Sequence, residues 1–390
     1  MDVLVVLGLF LLVFWSLIYM AKRYFPKSFS VYPFLIMWKT TRFNNFIDRL
    51  GTSYRSIWKV LGTIGVAMSV GALFYISYIL VQNLYYLLFN PESGSPVTPL
   101  IPGVTLSLTF NTMFFFGLSI AIILISHELA HGVSARAEGI GVKQTGLLLL
   151  AIIPGAFVEP DEESLKKARR SSQARVYAAG SGTNIVLALF VLIILANASG
   201  ILSLSYDTTP SGVLISDIVG GSPADGILHT WDTIVSINGA QVNGTAGLTP
   251  VLKATTPNST VPMELIRGGS SISLNFTLGS SPSQANTSYI GINTYNYLAP
   301  KNSFAPVWGP FYFAGSLNWL YLLSLNIGLI NLFPVPSLDG DQLFRLFAEY
   351  ILRNNKRAAL LGNIIRWGAL AVLILSILLS FVIFPGFTFG

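Results

Sequence analysis

Two histidines four residues apart, His127 and His131, stand on either side of Glu128 in the run ISHELAHGV. On a helix, positions i and i+4 share a face about one turn apart, so both imidazoles point to one side, as a tetrahedral zinc site requires. Glu128, beside the first histidine, can then act as general base on water activated by the metal. The flanking residues are apolar enough to cross a bilayer, where an ionisable side chain costs at least ~2.5 kcal/mol and marks a functional site by default. The competing reading is a pair of histidines bonding across helices with Glu128 as buried partner. It leaves that cost unexplained.

A zinc ion held by two histidines needs a third protein ligand and an open position. The chain has no cysteine, and its third histidine, His229, lies in a polar, strand-rich stretch. The third ligand is therefore a carboxylate, for one Zn2+ per chain. Asp339, in NLFPVPSLDGDQLF at 331–344, ends an apolar segment just after two prolines, which break the helix and free the backbone to turn the side chain inward. Asp341 is the nearest rival. The charge-dense stretch from Glu159 to Glu163 reads as a solvated loop.

These residues need a membrane scaffold, and the composition supplies one: 52% of residues are hydrophobic and 10% charged, against about 25% charged in a soluble domain. Apolar stretches able to cross a ~30 Å core lie near 3–20, 60–89, 113–133, 175–198, 307–333 and 365–385, predicting about six transmembrane helices. The first reads as an uncleaved anchor, since its leader is acidic and no small-residue cleavage site follows. Basic residues concentrate in 21–59, in 134–175 and between the last two spans; the other face carries only Lys253, Arg267 and Lys301 of 23. By the positive-inside rule those three loops are cytoplasmic. The net charge of +6 then faces anionic lipid, and no nucleic-acid partner is needed to explain it.

Between the fourth and fifth spans, 205–298 turns rich in Gly, Ser, Thr, Asn and Pro, with alternating runs such as DTIVSI and SISLNFTL. It is read as a soluble, β-rich, extracytoplasmic domain. Its segment GVLISDIVGGSPADGILHTWDTIVSINGAQV resembles a PDZ domain of the protease-associated kind. That likeness implies that the strand Gly212, Val213, Leu214, Ile215 accepts an extended peptide by strand addition; a β module that only shields is the alternative. Residues 29–59 suit either an amphipathic segment on the cytoplasmic interface or a loop packed on the helices. The run TGLLLLAIIPGAFV at 145–158 is too short to cross and fits a re-entrant strand or hairpin.

With HELAHG at 127–132, NLFPVPSLDG at 331–340, PGAFVEP at 154–160 and the PDZ-like insert, the chain resembles the site-2 proteases, a family of intramembrane zinc metalloproteases. The resemblance implies His127, His131 and Asp339 as zinc ligands and Glu128 as the group that activates water. Family members also carry a Gly-Pro-x-x-Asn-like motif on the next span, and AGSGTN at 179–184 offers Gly180 and Asn184 with Ser181 where proline is expected. Asn184 can support the transition state by donating to the scissile carbonyl, or it can simply bond between helices. Asn331 can orient a ligand or substrate, or cap and pack.

The expected domains are 1–112 with the first two spans and an interfacial segment, 113–204 and 299–345 as the catalytic core, 205–298 as the PDZ-like insert, and 346–390 with the last span. The expected activity is hydrolysis of peptide bonds within transmembrane segments of membrane-protein substrates already cut by another protease, the insert filtering or binding them. The expected location is the plasma membrane, with the active site towards the cytoplasm. A metal-ion transporter accounts for the histidines but not for Glu128; an inert membrane scaffold accounts for neither.

Overall fold

The computed structural model of the protein describes residues 3–150, 153–282 and 286–387. In chain order its elements are α1 (Val3–Met20), β1 (Phe29–Tyr32), β2 (Leu35–Thr40), α2 (Asn44–Ser53), α3 (Arg55–Phe89), α4 (Phe110–Ala137), β3 (Val142–Leu150), β4 (Ile153–Pro160), α5 (Glu162–Lys167) and α6 (Arg170–Ala196). There follow α7 (Ala198–Leu202), β5 (Gly212–Ile218), β6 (Thr233–Ile237), β7 (Ala240–Gln241), α8 (Thr245–Ala254), β8 (Thr260–Arg267), β9 (Ser270–Thr277), β10 (Gly279–Ser280), β11 (Ser288–Tyr289) and β12 (Ile292–Tyr297). The chain closes with α9 (Gly309–Leu332), α10 (Asp339–Leu352) and α11 (Asn355–Ile383).

Among the described residues five helices are long and apolar enough to cross a membrane: α3, α4, α6, α9 and α11. They coincide with five of the six expected spans. The stretch at 3–20 is helical as well, as α1. The protein is therefore an integral membrane protein built on helices. Contacts divide it into two compact units, Met1–Leu192 with Trp319–Gly390, and Ile193–Asn318.

In the first unit the helices start and stop where local chemistry dictates. Thr109 caps α4 by accepting from the Thr112 amide, and Asn354 caps α11 by accepting from that of Arg357. Pro334 and Pro336 separate α9 from α10, since neither can continue a helix. A side chain at Gly340 would run into the Leu332 carbonyl, so glycine there lets the start of α10 fold back over the end of α9. Asp339, the expected third ligand, starts α10 at that turn.

Of residues 29–59, 29–40 form a hairpin and 44–53 the helix α2, which buries Ile47 on one face. The strands of 29–40 join those of the second hairpin in an antiparallel sheet ordered β1-β2-β3-β4. Leu147 to Leu150 pair with Trp38 to Leu35 on one side and with Ala156 to Ile153 on the other, which explains the continuous apolar run as a central strand. The two strands of the hairpin expected at 145–158 are present as β3 and β4, and residues 151–152 of that run lie outside the described residues. Ile47, Val133, Ala135, Ile140, Val142, Leu165 and Val176 form one buried cluster tying α2, α4, α6 and this sheet together.

The second unit is β-rich, as expected. Its main sheet runs β12-β5-β6-β8-β9, with β7 beside β6, over a core that includes Val213, Ile215, Ile234, Met263 and Phe276. Here the peptide-accepting strand must be corrected. Gly212 to Ile215 lie on β5, which pairs with β12 on one side and β6 on the other. The fully buried Val213 and Ile215 mark a central strand, chosen for its apolar content, and both its edges are already hydrogen-bonded. The edge strands of the sheet are β12 and β9.

Candidate metal centre

Helix α4 delivers His127 and His131 to one side, their rings 4.9 Å apart, and α10 brings Asp339 to meet them. One donor atom from each of the three lies within 4.8 Å of the others. His131 Nε2 is 3.4 Å from Asp339 Oδ1, His127 Nε2 is 3.5 Å from Asp339 Oδ2, and the two Nε2 atoms are 3.3 Å apart. Three like-directed donors at such spacing suit a cation between them, and two imidazoles with one carboxylate are the protein ligands of a catalytic zinc site that keeps a position open.

The surroundings fit that use. His131 Nδ1 is 2.8 Å from the Val176 carbonyl, which can only accept, so the ring hydrogen sits on Nδ1 and Nε2 faces the cluster with a lone pair. Gly180 of α6 lies against both rings; a Cβ there would overlap the Nε2 atoms of His131 and His127. The space for an ion exists because α6 has no side chain at that point.

Among the rival carboxylates, Asp341 is 2% exposed but turns away, binding Arg366 of α11 through both oxygens and Arg345 one turn along α10. Glu159 accepts from Gln144. Glu162 and Glu163 make solvent-exposed pairs with Lys166 and Lys167. Asp339, and not Asp341, therefore stands among the histidines.

Glu128 accepts a hydrogen bond through Oε2 from the Val158 amide, 2.9 Å away on β4. Because Val158 N–H points to α4, it points away from β3, so β4 presents its outer edge to Glu128. Beyond β4 the chain is pinned by Asp161, which caps α5. The Ser164 hydroxyl and amide and the Lys143 ammonium hold the Asp161 carboxyl down at about 2.

Asn184 is fully buried, its Nδ2 placed 3.1 Å from His127 Nδ1. Asn331, on the last turn of α9, is partly exposed, and its side chain has no polar partner among the described residues. Sequence reasoning passed over three participants. Ser181 donates to Asp339 Oδ2 at 2.7 Å, the Val176 carbonyl meets His131, and the Val158 amide meets Glu128. The last two are backbone groups, invisible in residue types; Ser181 had registered only as a departure from proline.

Comparison with known proteins agrees with this geometry. The sequence model of peptidase family M50 matches residues 115–376. An uncharacterized protein of Methanocaldococcus jannaschii is 27% identical over 82% of this chain and 79% of its own length. A protein of Arabidopsis thaliana named "Membrane-bound transcription factor site-2 protease homolog" is 30% identical over 53% of this chain and 40% of its own length. A Fusobacterium nucleatum protein named "Putative zinc metalloprotease" is 22% identical over 61% of this chain and 88% of its own length. Of solved structures, the PDZ domain of an SdrC-like protein from Listeria monocytogenes covers 22% of this chain and 87% of that domain, at 21% identity and a TM-score of 0.20.

Proposed function

The chain belongs to peptidase family M50, and we propose that this zinc metalloprotease cuts peptide bonds within or at the edge of transmembrane segments of other membrane proteins. The observation that carries the reading is the meeting of His127, His131 and Asp339 beside Glu128 on span-length helices. In this reading those three residues hold the ion and Glu128 is the base. Bound there, Zn2+ supplies a Lewis acid for the scissile carbonyl and makes water acidic enough to attack near neutral pH.

Glu128 takes a proton from the attacking water as its oxygen adds to the carbonyl carbon, then delivers that proton to the leaving nitrogen as the C–N bond breaks. A peptide bond inside a helix is shielded by its own hydrogen bonds, so the substrate must unwind locally. The extended segment then has a strand to pair with. It is not β3, which is paired with β2 and β4. The outer edge of β4 is open, and by the two-residue alternation of a strand its Ala156 and Val158 amides face outward, while Pro154 and Pro160 have none to offer.

The concentration of Lys and Arg in 21–59, 134–175 and between the last two spans supports an active site towards the cytoplasm and an extracytoplasmic insert, and the plasma membrane is the proposed location. The insert filters or binds substrates already trimmed by another protease, with β12 as the edge for any peptide. Metal transport has no place for a base tied to a strand edge, and peptidase membership weighs against it.

The test is a purified enzyme incubated with a model single-span substrate, the cut mapped by mass spectrometry, with Glu128→Gln alongside. A cut within the apolar segment should fall by about 10²–10⁴-fold in the variant while zinc remains bound. Stoichiometric zinc with no cut in several trimmed substrates would overturn the reading.

A further inference from the structure

Ser181 and Asn184 lie three residues apart on α6 and therefore on one face. Both are 0% exposed, and each touches a different member of the metal cluster. We propose that they are positioning residues, Ser181 fixing the Asp339 carboxylate and Asn184 fixing His127, and that Asn184 acts through that ring and not on the substrate. The proposal rests on the zinc-protease reading.

His127 faces the cluster through Nε2. For that nitrogen to bind a metal, the ring hydrogen must sit on Nδ1, and Nδ1–H needs an acceptor. The Asn184 amide lies 3.1 Å from Nδ1, and the Gly180 carbonyl, one turn earlier on α6, also accepts from the ring. Which end of an amide faces its neighbour is assigned from hydrogen bonding. With the nitrogen towards His127, the buried Asn184 Oδ1 has no partner. Turned through 180°, Oδ1 accepts from Nδ1–H and the tautomer conflict disappears, the NH2 group taking the place that Oδ1 held.

The amide is rigidly held. Ser324 of α9 donates to the Asn184 backbone carbonyl at 2.8 Å, and Gly328 brings α9 so close that a Cβ there would lie 3.1 Å from that of Asn184. Full burial leaves no face for a substrate carbonyl. One turn below, the Ser181 hydroxyl donates to Asp339 Oδ2 at 2.7 Å and leaves Oδ1 turned to His131. A proline at 181, as the family motif leads one to expect, could not do this. This chain has a side-chain donor on its third ligand in its place.

The experiment measures zinc affinity by chelator competition on purified, detergent-solubilised enzyme, with folding followed by circular dichroism. Asn184→Asp keeps an acceptor and removes the donor; Asn184→Ser is too short to reach; Ser181→Ala removes the hydroxyl. Asn184→Ser and Ser181→Ala should bind zinc about 10–100-fold more weakly, their cleavage following zinc occupancy, whereas Asn184→Asp should bind at least as tightly as the parent. Asn184→Asp that loses zinc as Asn184→Ser does, while still folded, would overturn the proposal. So would Asn184→Ser with parental zinc affinity and kcat lowered about 10²–10³-fold, the mark of a lost transition-state donor. Zinc affinity is read without any substrate, so a parent that binds zinc yet cuts nothing would sink the protease reading and leave this one standing.

Discussion

Glu128 and Val158 are joined by a hydrogen bond of 2.9 Å from the amide of a strand edge to the carboxylate of the base. The same edge is the one available to an incoming extended segment, so the base and the substrate's rail share one backbone donor. Any strand that pairs fully along β4 must either accommodate Glu128 or displace it from Val158. In the proposed reading, a single strand register would thereby set the alignment of scissile bond and base.

That relationship predicts a split between two prolines. Ala156→Pro removes an outward amide that only the substrate would use, so KM should rise with little change in kcat. Val158→Pro removes the donor to Glu128 as well. A hydrogen bond to a charged group contributes about 1.5–3 kcal/mol, so kcat/KM should drop by a further order of magnitude or more. Both amides point away from β3, so neither change breaks the hairpin ladder. Steady-state cleavage of a single-span substrate at saturating zinc checks this, and equal effects from the two variants would contradict it.

Gly180→Ala is the sharpest test of where the ion sits. The new methyl would occupy space against the Nε2 atoms of both histidines. Overpacking of this kind costs about 1–3 kcal/mol of stability, too little to unfold helices buried in a bilayer. The expected result is a helical, membrane-inserted protein with zinc affinity lowered at least about 100-fold. Metal analysis after purification reads it directly, with Gly182→Ala as control: a Cβ there meets no atom nearer than 3.5 Å.

The sequence carried the metal chemistry because its spacing is local. His127 and His131 need only one helix, and apolar runs of span length declare themselves without reference to neighbours. Asp339 was legible for a similar reason, two prolines just before it breaking the helix. Pairings between distant segments were not. That residues 29–40 join the 142–160 hairpin depends on register across about a hundred residues, and an apolar run alone does not say whether a strand is central or at an edge. The misplacement of the peptide edge onto Gly212 to Ile215 has this origin: the most apolar strand of the insert is its most enclosed one.

Asp341 should behave unlike Asp339 although only Gly340 separates them. Its carboxylate is buried and binds Arg366 and Arg345, while Arg345 also reaches Asn363 on α11. Breaking a fully buried pair costs about 3–5 kcal/mol. The arginine side chains keep 22% and 31% exposure, so Asp341→Asn should fall at the low end, about 3 kcal/mol, and lower the thermal midpoint of the metal-free protein. Asp339→Asn should leave that midpoint nearly unchanged and abolish zinc binding. Thermal unfolding with and without chelator separates the two, and a zinc-dependent midpoint in Asp339→Asn would remove it from the ligand set.

The insert's role turns on β12. The Ser211 amide donates to the Tyr297 carbonyl at 3.1 Å, which turns Tyr297 towards β5; by alternation Tyr295 faces the same way, and Thr294 faces the open side. Thr294→Pro would therefore remove an outward donor without breaking the β12 ladder, whereas proline at Leu214 would break pairing on a central strand and unfold the unit. If the insert captures peptides by strand addition, a fluorescent peptide ending in a newly cut terminus should bind the full-length protein and lose at least about tenfold in affinity in Thr294→Pro. If it excludes bulky substrates, no peptide should bind and Thr294→Pro should cut trimmed and untrimmed substrates as the parent does. Removing bulk from the substrate, and not from β12, would then change the rate.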